Sequence, residues 1–368
     1  MAIIEASKDA LIKPLATVTG IVEKRHTMPI LSNVLIEKQG SNLRMLGTDL
    51  EIQIQTTDTL DNQSDDVRFT TSAKKLLDIL RALPDSQPVK LETDNNKLTI
   101  RSGKSRFNLH TLPAEDLPQV QMNSDVLTTL EIAQSTLKSL LQKVQYAMAN
   151  QDIRYYLNGL YLVSESGMIK LVATDGHRLA FVEAETGNQS PRSEAIIPRK
   201  TVLELVKQLN DVDDPVKIEI CSNQIRFSFG KIELLSKVIE GKFPDYNRVI
   251  PLHNNKIFRI ERLVLLQALQ RVAILSNEKF RGVRVMLSDN TLRIQSANNE
   301  QEEAQEELDI EYGYDALDIG FNINYLLDAL NHSSSDVMQL ALADSNGSAL
   351  VTEPENQNFR YVVMPMRI

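Results

Sequence analysis

Three short runs along the chain share one hydrophobic pattern. SNVLIEK (Ser32–Lys38), LNGLYLV (Leu157–Val163) and FRGVRVML (Phe280–Leu287) each read as an apolar strand. A turn and a second strand follow each of them: LRMLGTD (Leu43–Asp49), IKLVATD (Ile169–Asp175) and LRIQSAN (Leu292–Asn298). The phase is kept, for Thr48, Thr174 and Ala297 lie 126 and 123 residues apart. Helical patterns recur at the same phase. In STLKSLLQKVQYAM, the residues Leu137, Leu140, Leu141, Val144 and Met148 fall on one face and predict a half-buried helix running to Met148. ALIKPLATVTGIV (Ala10–Val22) and VLLQALQRVAIL (Val264–Leu275) take its place in the other two repeats. A second helix recurs as AKKLLDILRAL (Ala73–Leu83), RKTVLELVKQL (Arg199–Leu209) and NINYLLDALN (Asn322–Asn331).

Each unit therefore reads as strand, helix, several strands, helix, several strands. That order, with hairpin signals at Asn346-Gly347 and Asp94-Asn95-Asn96, predicts an α+β fold with antiparallel sheets. A period this long is too large for a solenoid and points to three tandem similar domains. Polar stretches at QVQMNSD (Gln119–Asp125) and PLHNNK (Pro251–Lys256) suggest boundaries giving domains 1–126, 127–253 and 254–368.

Composition narrows the function. Of 368 residues, 42% are apolar, so several cores can form. The single cysteine, Cys221, excludes an internal disulfide and a cysteine-cluster metal site, and fits a reducing, cytoplasmic setting. The five histidines (His26, His110, His177, His253, His332) are not at metal-ligand spacing, so no cofactor or metal is expected. The opening MAIIEASKDA has charges where a signal peptide needs an apolar core, and no apolar run approaches the ~18–20 residues of a membrane span.

The net charge of −9 argues against a nucleic-acid binder until its distribution is considered. The six helical segments sum to +7, leaving −16 for the rest of the chain. Basic helices along one surface would hold a phosphate backbone without reading bases. Two strands are charged in opposite senses. RSGKSRFNL carries Arg101, Lys104 and Arg106 and alternates Phe107 and Leu109 onto one face. NEQEEAQEEL carries Glu300, Glu302, Glu303, Glu306 and Glu307. They are suited to a head-to-tail contact between copies, which pairs both edges and closes into a ring if the rotation allows.

LVATDGHRLAF (Leu171–Phe181) sets Asp175, His177 and Arg178 together and raises the reading of an acid–base enzyme. The equivalent turns, TDLEI (Thr48–Ile52) and ANNEQ (Ala297–Gln301), carry no such trio, so catalysis is not a property of the repeat. No phosphate loop or metal cluster supports the enzyme reading. No catalytic residue is assigned.

QDIRYYLNG (Gln151–Gly159), ATDGHRLA (Ala173–Ala180), GKFPDYNRV (Gly241–Val249), LSNEKFRGVR (Leu275–Arg284) and YVVMPMRI (Tyr361–Ile368) are together similar to the bacterial sliding clamps, the beta subunits of DNA polymerase III. The resemblance runs from TMPILSN (Thr27–Asn33) to the last residue. It implies the DNA clamp fold, with antiparallel sheets outside and helices lining the inside of a dimeric ring. It implies a processivity factor with no catalytic activity, encircling duplex DNA without sequence preference. The implied partners are a second copy, an ATP-driven clamp loader, the DNA polymerase III alpha subunit, and other polymerases and repair proteins bearing clamp-binding peptides.

The resemblance also implies residue roles. An apolar peptide pocket would be walled by Leu157, Thr174, Leu179, Pro244, Val249, Val362, Val363 and Met364, with Pro365 and Met366 beside them. Gly176, His177, Arg178, Arg248, Asn322, Tyr325, Asn346, Ser348 and Arg367 would complete its edges, Asn346 standing where an apolar residue is expected. DNA would meet Arg25, Lys74, Asn150, Gln151, Tyr155, Tyr156, Arg199 and Lys200. In the dimer, Phe107 and Leu109 would pack on Ile274 and Leu275, and Lys75, Arg101, Lys104 and Arg106 would face the acidic run. The alternative is a monomeric DNA-binding scaffold built on the same repeats.

Overall fold

The computed structural model describes residues 2–23, 28–60, 66–94, 96–122, 125–187 and 191–367. The first repeat runs β1 (Ala2–Ala6), α1 (Lys8–Thr19), β2 (Asn33–Gln39), β3 (Asn42–Thr48), β4 (Ile52–Thr59), β5 (Val67–Ser72), α2 (Ala73–Ala82), β6 (Val89–Asp94), β7 (Lys97–Ser102) and β8 (Ser105–Leu112). The second runs β9 (Val126–Ala133), α3 (Gln134–Val144), β10 (Gly159–Glu165), β11 (Met168–Thr174), β12 (Arg178–Glu185), β13 (Ser193–Pro198), α4 (Arg199–Gln208), β14 (Pro215–Cys221), β15 (Gln224–Phe229) and β16 (Ile232–Lys237). The third runs β17 (Lys256–Glu261), α5 (Arg262–Ala273), β18 (Gly282–Ser288), β19 (Thr291–Ala297), β20 (Glu303–Asp309), β21 (Leu317–Asn322), α6 (Ile323–Asn331), β22 (Val337–Leu342), β23 (Ala349–Glu353) and β24 (Asn356–Val363). The same ten-element order occurs three times.

Local sequence explains the elements. In α2, Ala73, Leu76, Leu77 and Leu80 are buried at i, i+3, i+4 and i+7, while Lys74, Lys75 and Asp78 face solvent. Strands β18 and β19 alternate buried and exposed positions, as one-sided sheets do. Strand β10 is buried along nearly its whole length, matching its run of apolar residues. Each buried Leu or Ile contributes about 1.5–3 kcal/mol relative to exposure.

One expectation needs correcting. Helix α3 stops at Val144, and a 3-10 turn over Gln145–Ala147 follows, so Met148 lies outside the helix. The Tyr146 carbonyl accepts instead from Arg178 Nη2 at 2.5 Å. That bond satisfies, by a side chain, a carbonyl freed where the helix ends.

In every repeat, strands two to five form one four-stranded set, and the first strand joins the last three in another. The sets then link antiparallel. Strand β4 pairs with β16, from Ile52 opposite Ser236 to Thr56 opposite Ile232. Strand β12 pairs with β24, from Arg178 opposite Val363 to Val182 opposite Phe359. By compactness the chain divides into Met1–Leu137 with Leu203–Val238, and Lys138–Val202 with Ile239–Ile368. The β4–β16 joint lies in the first of these units and the β12–β24 joint in the second.

Candidate functional site

A cavity of about 200 Å3 opens in the second unit. Leu157, Thr174, Gly176, Arg178, Leu179, Pro244, Val249, Val362 and Met364, all expected in a pocket, line it together. Arg154, Tyr156, Phe243 and Tyr246 complete the lining. The aromatic part of the wall is stiff, because Tyr161 stacks on Phe243 at 4.7 Å and Tyr246 packs on Phe181 at 5.6 Å. Leu157, Leu179 and Val362 are at most 2% exposed, whereas Met364 is 38% exposed at the mouth. The result is an apolar floor with an adaptable thioether at the rim.

The ATDGHRLA turn shapes one side. Thr174 Oγ1 donates to the Arg178 carbonyl at 2.6 Å and accepts from Gly176 N–H at 3.1 Å. The Asp175 carboxylate accepts from the N–H groups of His177 (2.9 Å) and Arg178 (3.1 Å). Gly176 has φ +89°. A Cβ there would lie 2.8 Å from an Arg154 guanidinium nitrogen, so both conformation and space favour glycine. Arg154 itself is held by Asp152 at 2.8 and 3.0 Å and donates to the Asp175 carbonyl at 3.1 Å. Its hydrogen bonds hold the Asp152 carboxyl down at about 2.

Arg178 does not present a free cation. Its Nε meets Asp175 at 3.1 Å, Nη1 binds Asp328, and Nη2 donates to the Tyr146 carbonyl. The guanidinium lies 4.5 Å from the Tyr325 ring centre. Burial opposes its charge, but Tyr361, Asp328 and Asp175 outweigh that and raise its pKa above the usual arginine value. With the Asp175 carboxylate spent on the turn and on Arg178, the cluster has the bonding of a brace and not that of an acid–base pair.

The other expected pocket residues lie outside the cavity lining. The His177 carbonyl accepts from Met364 N–H at 2.9 Å and fixes the tail. Val363 is buried between Arg178 and Ala349 in the sheet. Arg248 is exposed and pairs with Asp245 at 3.1 Å. Asn322 caps α6 through Asn324 N–H, and the Tyr325 carbonyl accepts from the Tyr361 hydroxyl at 3.0 Å. Asn346 N–H donates to Asp344, and the Ser348 carbonyl accepts from Asn254. Pro365 is half-buried. Met366 and Arg367 line a neighbouring cleft of about 510 Å3 with Phe280 and Glu303.

Of the expected DNA-contacting residues, Arg25 lies outside the described residues. Lys74 is exposed on the first turn of α2. Asn150, Gln151 and Tyr155 are exposed around the 3-10 turn Tyr155–Leu157, with Gln151 at φ +59°. Tyr156 is half-buried and lines the cavity. Arg199 donates to the Met148 carbonyl at 3.2 Å, and Lys200 is half-buried. Ile153, 96% exposed in the same loop, was not singled out by sequence reasoning; an isolated exposed Ile has no pattern to betray it.

The expected assembly residues lie on and around strands β8 and β20. On β8, Phe107 is 36% exposed, Leu109 is half-buried and Arg106 is exposed; Lys104 is exposed beside it, as is Lys75 on α2. Arg101 on β7 already pairs with Glu92 at 2.9 Å. Beyond α5, Ile274 is 77% exposed and Leu275 half-buried. Glu300, Glu302, Glu303 and Glu307 are exposed. Several acids are spent internally: Glu306 binds Arg271 at 2.7 Å, Glu307 binds Arg293 at 2.9 Å, and Glu302 accepts from Asn298 at 2.6 Å.

Comparison with known proteins decides the family. Residues 3–121, 131–245 and 247–367 match, in order, the N-terminal, central and C-terminal domains of the DNA polymerase III beta subunit. The chain belongs to the DNA polymerase III beta-subunit family. The Beta sliding clamp of Pseudomonas aeruginosa is 44% identical, covering 98% of each chain. That of Escherichia coli is 41% identical over the same shares. A crystal structure of the Pseudomonas aeruginosa clamp bound to griselimycin superimposes with a TM-score of 0.96, at 43% identity and full coverage of both chains. The three-repeat α+β fold is thus the family's fold. Among the described residues no helix is long and apolar enough to cross a membrane, and no group of His, Cys, Asp or Glu could hold a metal.

Proposed function

We propose that the chain is a sliding clamp that closes head to tail with a second copy into a ring around duplex DNA. One observation carries this reading: the pairing rule of the sheets is left unfinished. The fourth strand of repeat one (β4) takes the last strand of repeat two (β16), and the fourth strand of repeat two (β12) takes the last of repeat three (β24). By the same rule the fourth strand of repeat three, β20, seeks a last strand, and β8 of repeat one is the one left over. Strand β20 has no neighbour on its outer edge among the described residues, and β8 meets β5 only at Thr111 and Leu112. Joining β20 to β8 of the second copy would satisfy both edges. Phe107 and Leu109 would then cover Ile274 and Leu275. The basic side chains Lys75, Arg101, Lys104 and Arg106 would set register against the acidic run more than they add affinity.

Function follows from topology. Closure prevents escape, so contacts to DNA can stay weak, salt-sensitive and blind to sequence, which permits sliding. Lys74, Asn150, Gln151, Tyr155, Arg199 and Lys200 are the side chains we assign to the duplex. The cavity at Gly176 would seat short apolar peptides from the DNA polymerase III alpha subunit, other polymerases and repair proteins. Holding such a partner beside its template raises its effective concentration. The clamp is an accessory subunit with no catalytic activity, acts in the cytoplasm, and needs a loader using ATP to open it.

The test is retention on DNA. The protein is loaded with a clamp loader and ATP onto nicked circular plasmid, washed in high salt, and half the sample is linearised. Retention on circles with loss from linear ends is expected. Equal retention on both would overturn the ring and favour a monomeric scaffold.

A further inference from the structure

The first repeat contains a counterpart of the Gly176 cavity, and the two can be matched residue by residue. Thr48 Oγ1 binds the Ile52 carbonyl at 3.1 Å, as Thr174 binds that of Arg178. The Asp49 carboxylate accepts from Glu51 and Ile52 N–H groups at 2.9 and 2.8 Å, as Asp175 does from His177 and Arg178. Lys237 N–H donates to the Glu51 carbonyl at 2.9 Å, as Met364 N–H does to that of His177. The registers also agree, with Leu235 opposite Gln53 where Val362 is opposite Leu179.

The apolar clusters at these turns correspond too. Leu31, Leu35, Leu46 and Leu117 cluster in the first repeat. Leu157, Tyr161, Val172 and Phe243 cluster in the second, where Leu157 and Phe243 line the cavity and Tyr161 and Val172 pack in the core cluster with them, and proline follows both Leu117 and Phe243.

What differs is the residue at the turn. Gly176 leaves its space open. Its counterpart is Leu50, a non-glycine residue at φ +78°, half-buried against the Leu31–Leu117 cluster. Left-handed backbone is unfavourable for leucine, so something must hold it there. Packing against the buried Leu31–Leu117 cluster does so. A second lock lies beside it: Gln53 exchanges hydrogen bonds with the backbone of Val120 at 2.9 and 3.1 Å, where the second repeat has apolar Leu179.

We infer that Leu50 is the resident occupant of the first repeat's counterpart pocket. It takes the place that an apolar peptide side chain takes at Gly176, so each chain offers one peptide site and not two. This rests on the peptide reading of the Gly176 cavity. Leu50 is a specificity determinant: it confines docking to the second unit. The ligand class it excludes is a peptide bearing an apolar side chain.

Xenon provides the test, because dry apolar cavities near this size bind it. Crystals of wild type, Leu50→Gly and Gly176→Leu are pressurised, after melting curves establish that each variant is folded. Wild type should hold xenon at the Gly176 cavity alone. Leu50→Gly should add a second site bounded by Leu31, Leu35, Leu46 and Leu117. Gly176→Leu, placing leucine at a φ that Leu50 already tolerates, should lose the first site once Arg154 swings aside. A folded Leu50→Gly without the second site would overturn the inference, as would wild type holding xenon at both. Absence of xenon at Gly176 in wild type would count against the peptide cavity instead, and the gain at the first repeat would still decide Leu50.

Discussion

The β4–β16 and β12–β24 joints share one ladder of five antiparallel pairs, yet they are sealed differently. At the first, the flanking ion pairs lie at the surface: Lys231, exposed, with half-buried Asp58 at 2.5 Å, and Lys237 with Glu51, both exposed, at 3.1 Å. At the second, charges are buried. Lys143 on α3 meets Glu353 at 2.8 Å, with side chains only 11% and 4% exposed. Glu353 also accepts from Ser333 at 2.7 Å and Asn356 at 2.9 Å, and Arg178 binds Asp328 beside it. The ladder is set by the repeated fold, while the seal is particular to each joint. The joint carrying the candidate peptide site has the more demanding one, because each buried charge requires its partner.

This contrast can be broken experimentally. Glu353→Ala leaves the Lys143 ammonium buried and unpaired, and chemical denaturation should report a loss of about 3–5 kcal/mol. Replacing both partners, Lys143→Met with Glu353→Leu, should restore most of it; failure to recover would mean the network is needed for more than charge balance. A pH comparison gives the next effect. Burial pushes the Glu353 carboxyl up, but Lys143, Ser333 and Asn356 outweigh this and leave its pKa below the ordinary 4.5. Its stabilisation is therefore complete above that value and disappears as pH falls through the lower folded value. Between about pH 6 and about pH 3.5, wild type should lose more stability than Glu353→Gln, measured by urea midpoints. The smallest effect belongs to the first joint. Lys231→Ala should cost only about 0.2–1 kcal/mol and should shrink further in high salt.

Much of this was legible in the sequence because it is written in period. The repeated strand pairs around Thr48, Thr174 and Ala297 fall into equivalent places. Leu157, Thr174, Gly176, Leu179, Pro244, Val249, Val362 and Met364 converge as expected. Long-range pairing was not legible. Lys143 and Glu353 lie 210 residues apart and each looks like an ordinary surface charge. Arg178 resembled a binding group, and only its contacts with Asp175, Asp328 and Tyr146 show its charge already committed. Tyr156 resembled its neighbour Tyr155, yet within the same 3-10 turn Tyr155 is exposed while Tyr156 is half-buried and lines the cavity. The Thr-Asp turn recurs between the first two repeats, so its acid is architecture; what the repeat does not share is the residue after it.

The position of β24 has a consequence for biosynthesis. It is the last strand in the chain, yet it lies inside the eight-stranded sheet, between β12 and β23. Its partner Leu179 precedes Val362 by about 180 residues. During translation β12 waits with an open edge until β24 has been made, exposed to wrong pairing over that interval. Without β24 and the residues just after it, Val362 and Met364 would be missing from the cavity wall. The cavity can therefore form only after β24 has been made, so the order of synthesis ties it to an intact β12–β24 joint.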